Sequence, residues 1–324
     1  MSVGAILVSS LLATLAHPTA WPVALAGFLV RGGIVLFLVP IVVLPSPVGL
    51  SDFIAPTLSS IVLGGVTPEL VALGGAICAL VVAIVLLAGW FAAATEVALI
   101  RDAPAWDELD PRRVIAPPRR GEAARVMGAR LVAHLPLSLV LAWGGTRVVD
   151  TAYRELSRPV DVTTPIALRV LGSVPEVIVL LVITWVAGQI VGAVAARRIV
   201  LVDASVSRGL RAALAESVRR PLRSIVLFLV PAAALLAVVV PTAAATSSTW
   251  ERVRIAIAES AGPLEGMATV SVFVGLWLGG LALVSMVCAW RAAVWTLDAE
   301  QRTFGVTPPV LPGDWSVAES SDTL

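Results

Sequence analysis

Apolar positions dominate six stretches of the chain, near residues 22–45, 67–95, 130–151, 174–196, 222–244 and 267–293. Each reaches the roughly 20 residues that an α-helix needs to cross a hydrocarbon core, so the pattern predicts six transmembrane helices. Shorter segments ahead of every second crossing follow a different rhythm. Val126, Leu131, Val132 and Leu135 alternate with Arg125, Arg130 and His134, while Leu210, Ala213 and Leu214 oppose Arg208, Arg211 and Arg219. These are patterns of helices lying on a membrane, with arginines placed to reach lipid phosphates. The N-terminal stretch Val3 to Ala16 is apolar with a weak polar face of Ser9, Ser10 and Thr14. It has no positively charged start and is too short to cross a ~30 Å core, so it is predicted to lie in the interface and not to act as a signal peptide.

The polar punctuation recurs three times. Pro68-Glu69, Pro175-Glu176 and, more loosely, Pro263-Leu264-Glu265 each open an apolar stretch that closes at Asp102-Ala103, Asp203-Ala204 or Asp298-Ala299. Each Pro-Glu step follows an earlier proline, Pro22, Pro136 or Pro221, by 46, 39 or 42 residues. Self-similarity on this scale is the signature of a repeated structural unit. The expected architecture is all-α, a polytopic membrane helix bundle of six transmembrane helices arranged as three two-helix units, residues 9–103, 123–204 and 207–299, each preceded by a short interfacial helix. An inserted cytoplasmic loop, 104–122, separates the first two units, and residues 300–324, proline-rich and acidic, are expected to form a disordered cytoplasmic tail. On the opposite side the connections carry short segments of their own, Ile54 to Leu63, Ile166 to Leu171 and Val253 to Ala258.

Composition agrees with a membrane protein. Of 324 residues 58% are hydrophobic and 14% charged, with a mean hydropathy of +0.94. A net charge of +1 and the lack of a basic stripe with interleaved aromatics exclude nucleic acid as a partner. All 23 basic residues are arginine. Seven fall in 101–130 and seven in 197–223, and these, with Arg291 and Arg302, mark one side as cytoplasmic by the positive-inside rule. Both termini are therefore expected inside a multi-pass protein of the cytoplasmic membrane. Cys78 and Cys288 lie in apolar stretches, where cysteine behaves as a small hydrophobe, and suggest neither disulfide nor metal.

Candidate chemistry is sparse. There is no glycine-rich nucleotide loop, His-Glu-x-x-His, Gly-x-Ser-x-Gly or Cys-x-x-Cys, and only His17 and His134 are present, so no catalytic residue, cofactor or metal site is expected. Glu69, Glu176 and Glu265 sit where a first-turn carboxylate offsets the helix dipole; a ring of acids at an outer cation entrance is the functional alternative. The closing aspartates have Arg101, Arg197 and Arg198 as candidate partners.

Arg31, nine residues past Pro22 and thus ~13 Å along a helix, is the sharpest candidate, because a charge at that depth requires a partner. Glu69 or Glu176 would supply it from another helix; a side chain snorkelling to the headgroups is the alternative. Arg147, eleven past Pro136, has Asp150 and then Arg154 beside it. Glycine pairs, Gly32-Gly33 and Gly144-Gly145, adjoin both arginines, Gly188/Gly192 and Gly275/Gly279 offer faces for close helix packing, and Gln189 is placed to hydrogen-bond between helices. Trp290 and Trp295 fit an interfacial belt. The function expected is non-enzymatic, transporter- or permease-like handling of a small solute or anionic lipid; the alternative is an accessory subunit that binds lipids or a membrane or cytoplasmic protein partner.

Overall fold

The computed structural model describes residues 2–38, 41, 65, 67–103, 117–157, 164–259 and 262–304, and among these the regular structure is entirely helical. In chain order the helices are α1 (Val3–Ala16), α2 (Ala20–Phe28), a single π-helical turn (Leu29–Gly33), α3 (Ile34–Leu38), α4 (Pro68–Asp102), α5 (Glu122–Ala133), α6 (Leu135–Ser157), α7 (Ile166–Gly172), α8 (Pro175–Val202), α9 (Val206–Arg219), α10 (Pro221–Ala258) and α11 (Pro263–Phe304). Five segments are long and apolar enough to cross a membrane: Ala20–Leu38, α4, α8, α10 and α11. The pair α5 and α6, bent by 45°, makes a sixth.

Local chemistry sets these boundaries. Proline occupies the first turn of α4, α8 and α10, where its missing N–H costs nothing, and the Thr67 hydroxyl accepts a hydrogen bond from Leu70 N to cap α4. Gly121, left-handed at φ 81°, precedes α5, and Asp203, left-handed at φ 52°, ends α8. Pro231 and Pro241 lie inside α10 without ending it.

Helix α8 is the axis of the molecule. Ala195, Ala196, Ile199 and Val200 on it are fully buried, surrounded by Ile100 of α4, Val126 of α5, Ala213 of α9, Leu227 of α10 and Val294 of α11. This packing gathers at the arginine-rich ends of the helices. Away from it the apolar side chains face outward: Val71, Leu80, Val85 and Leu87 of α4 are more than half exposed. Such surface is intolerable in water and ordinary against lipid.

Helix α1 reverses the expected polarity. Ser10 and Thr14 are fully buried, while Val8 and Leu15 stand about half exposed. The inner face docks on α11, where the Trp290 indole N–H donates to Leu7 O at 3.1 Å and to Ser10 Oγ at 3.0 Å. In a lipid-facing fold the protein interior offers the hydrogen-bond partners, so the polar face turns inward. Trp290 and Trp295, expected in a belt, are buried as well.

Other boundaries differ from expectation. α10 runs unbroken through Val253–Ala258, and α11 continues past Asp298 to Phe304, so Gln301 to Phe304 are helical where a tail was expected. Ile54 to Leu63, residues 104–116 and the remainder of the tail lie outside the described residues. Gly275 and Gly279 have open space where a side chain would stand; the close approach falls one residue on, at Gly280, where a Cβ would meet Thr242 Cγ2 at 2.1 Å.

Candidate functional site

Helix α4 carries one carboxylate deep in the packed half of the bundle. Glu96 is 5% exposed and receives three guanidinium groups from three other elements. Each arrives by a distinct local device.

Arg31 sits in the π-helical turn that joins α2 to α3. An α-helix cannot run through Gly32, whose φ of 103° belongs to the left-handed region, and the widened turn holds Arg31 beside α4. Its Nη2 donates to Glu96 Oε2 at 2.9 Å and to Ala92 O at 3.0 Å, and about half of its side-chain surface stays open. Arg130, in the last turn of α5, grips the same carboxylate as a fork, Nε to Oε2 at 3.1 Å and Nη2 to Oε1 at 2.5 Å. This bidentate geometry is the strongest form of the pair. The side chain lies across Gly192 of α8, where a Cβ would stand 2.9 Å from Arg130 Cδ. Arg197 of α8, 2% exposed, donates Nη1 to Glu96 Oε1 at 2.6 Å and Nη2 to Ala292 O at 3.3 Å.

A fourth guanidinium stands beside the cluster. Arg291 of α11 donates to Gln189 Oε1 at 3.2 Å and lies 5.6 Å from the centre of the Phe228 ring. Gln189 also accepts from Arg130 through its backbone oxygen at 3.4 Å, which makes it the bridge between the two arginines. Among the described residues Arg291 pairs with no carboxylate. Three guanidinium groups thus share one carboxylate, with a fourth close by, in surroundings of low dielectric, and the excess of positive charge favours an anion.

The cluster opens into a groove of about 240 Å³. Arg31, Glu96, Arg130, His134 and Gln189 form its polar end, and Val85, Leu86, Met127 and Leu131 its apolar walls. A wider depression runs along α6 past Gly145 and Asp150, but a single helix face lines it, and Asp150 is held by Arg154 at 2.8 Å.

The candidate residues from the sequence separate accordingly. Arg31 is in the cluster, and its carboxylate partner is Glu96, not Glu69 or Glu176. Those two acids lie in the exposed first turns of α4 and α8, far along the chain from Glu96, and Glu265 lies exposed in the first turn of α11. Arg147 reaches Glu176 at 3.5 Å instead of Asp150, each half exposed, because Asp150 takes Arg154 one turn further on the same helix. Gly144 admits Val177 of α8, whose Cγ1 would lie 2.5 Å from an added Cβ.

The closing aspartates also take other partners than expected. Asp203 holds Arg119 at 2.6 Å and Arg125 at 2.8 Å, and the hydrogen bond from Arg125 keeps its carboxyl below the ordinary range. Asp298 holds Arg223 and Arg302; Arg101 goes to Glu122 and Arg198 to Glu216.

Sequence reasoning missed Glu96, Arg130, Arg197 and Arg291 as members of one site. The signal for Glu96 was present: an acid bordered by Ala92 to Thr95 and Val97 to Ile100. A span boundary drawn at residue 95 leaves it one position outside the membrane, and Arg130 then reads as an interfacial-helix arginine facing lipid phosphates and Arg197 as a partner for a closing aspartate. Comparison with protein-family models, with curated proteins and with solved structures finds no match for this chain.

Proposed function

We propose that this chain is a non-enzymatic, permease-like protein of the cytoplasmic membrane that handles a small solute or lipid through the arginine-lined groove. The observation that carries this reading is the cluster itself. Three arginines converge on one buried carboxylate, with a fourth held beside them by Gln189, next to a groove that is apolar elsewhere, and an ionisable group at such depth is by default part of a functional site. In this reading both termini lie inside, and the cluster then lies toward the cytoplasmic leaflet, since Glu96 is six residues before Asp102, about 9 Å along the helix.

The threefold repeat belongs to this proposal. Glu96, Arg197 and Ala292 each lie six residues before a closing aspartate, Asp102, Asp203 and Asp298, and the three positions meet, Arg197 bonding both Glu96 and the Ala292 carbonyl. Sites at the meeting point of repeated units are how many transporters bind substrate. Orientation has its own test. In a background with Cys78 and Cys288 replaced, cysteines introduced near Asp52, Asp161 and Arg252 should react with an impermeant maleimide in intact cells, and those near Asp107 and Ser207 should not. Reaction at Asp107 reverses the orientation.

The function is tested by reconstitution. Vesicles containing the protein should move a fluorescent anionic phospholipid between leaflets, or release an entrapped organic anion, faster than protein-free vesicles, and Arg130→Ala should remove the effect. The accessory-subunit reading has one observation in its favour, that none of the most apolar part of α4 is buried within the chain. Absence of movement for every anion, with a second membrane protein co-purifying at fixed stoichiometry, would make that reading the correct one.

A further inference from the structure

The groove joins a charged end to apolar walls. Its polar end is fixed: Arg130 and Arg197 are locked on Glu96, and Gln189 ties Arg130 to Arg291. Arg31 differs. It donates to Glu96 through Nη2 and lines the groove with half of its side chain open, so it can meet a second anion without leaving the first. The walls lead outward. Val85, Leu86 and Leu131 line the groove and are also 60%, 46% and 53% exposed, which places its mouth on the lipid-facing surface of α4 and α5. At about 240 Å³ the space admits a small head and little of a tail, so a chain attached to that head would continue along these side chains into the bilayer.

The charge selects the head. Glu96 answers one of four guanidinium groups, leaving an excess that a zwitterion does not neutralise. A planar carboxylate is already supplied by the protein. A tetrahedral phosphate offers several acceptor oxygens in different directions, which suits a partly open guanidinium beside a polar floor of Gln189 and His134.

We propose that the groove binds a phosphate-bearing anion, with Arg31 as the contact that engages it and Val85, Leu86 and Leu131 as the seat of an attached acyl chain. The proposal rests on the groove being the ligand site of the permease-like reading and names the chemistry of its ligand. The shared chemistry is the phosphate oxyanion; a lipid headgroup and free inorganic phosphate are its two sources.

The test uses the full chain purified in detergent, with affinity measured by native mass spectrometry and by the shift in melting temperature. The probes are dioctanoyl phosphatidic acid, dioctanoyl phosphatidylcholine and inorganic phosphate. Phosphatidic acid should bind at least about tenfold more tightly than phosphatidylcholine, Arg31→Ala should lose about tenfold or more, and Arg31→Lys should recover part, because lysine keeps the charge without the fork. Leu131→Trp, at an exposed wall position, should weaken phosphatidic acid and leave inorganic phosphate unchanged.

Inorganic phosphate binding as tightly as phosphatidic acid, with Arg31 dependence and no effect of Leu131→Trp, supports the phosphate site and assigns it to the free ion. Equal affinity for the two lipids, or Arg31→Ala within about twofold of the parent, overturns the proposal. Should Arg31→Ala fail to fold, full retention of phosphatidic acid and of phosphate by Leu131→Trp and Arg31→Lys alike overturns it. Arg31-dependent binding without movement between leaflets leaves this inference standing and removes the permease reading; movement that ignores Arg31 does the reverse.

Discussion

Replacing Glu96 with glutamine should cost the folded protein on the order of 3–5 kcal/mol, the range found when one partner of a buried ion pair is removed. Glutamine keeps the size and a hydrogen-bond acceptor but leaves Arg31, Arg130 and Arg197 facing one another without the charge that gathers them. The measurement is unfolding in mixed detergent, followed by tryptophan fluorescence, with yield after extraction as a second readout. A double variant, Glu96→Gln with Arg197→Met, removes the most deeply buried of the three cations together with the acid. It should be more stable than Glu96→Gln alone, because the penalty lies in uncompensated charge and not in a lost contact. A Glu96→Gln protein that unfolds with the parent, or a double variant weaker than either single one, would show that the cluster is not held together by charge.

The second large effect is expected at Gly192. Any side chain there meets Arg130, whose Cδ and Nη1 would both lie 2.9 Å from the new Cβ. Arg130 cannot swing aside cheaply, since its other contacts are the fork on Glu96 and the carbonyl of Gln189. Gly192→Leu should therefore destabilise by about 1–3 kcal/mol through overpacking and should also abolish anion binding, by dislodging α5 from α8. Gly279→Leu is the matched control, because nothing lies within 4 Å of its added Cβ. Equal melting temperatures for the two leucine variants would mean that α5 is free to shift and that the fork is not rigid.

How far the sequence reveals this molecule depends on the range of the interactions. Helix starts at Pro68, Pro175 and Pro263, the break before α6, and the all-helical class follow from hydrophobic runs and proline chemistry within a few residues. The Arg–Glu cluster joins residues 34, 65 and 101 positions apart, and no local pattern marks Arg130 and Arg197 off from the other arginines near them. Only Arg31 stood out, because its neighbours are apolar. The inverted polarity of α1 was hidden for another reason. A serine and threonine stripe on an apolar helix points to water under the rules of soluble proteins and to the protein interior under those of the bilayer.

The docking of α1 on α11 has a consequence for how the molecule comes into being. The Trp290 indole and the Leu7 carbonyl it meets are 283 residues apart. At 5–20 residues per second of synthesis, α1 leaves the ribosome roughly 15–60 s before its partner exists. During that interval Ser10 lacks the indole it will meet and Thr14 has only the Ser10 carbonyl of its own helix, while Val8, Leu12 and Leu15 already suit the membrane surface. Helix α1 is thus made well before α11 and takes its final place only once α11 exists, so this closing of the bundle is a late step of assembly.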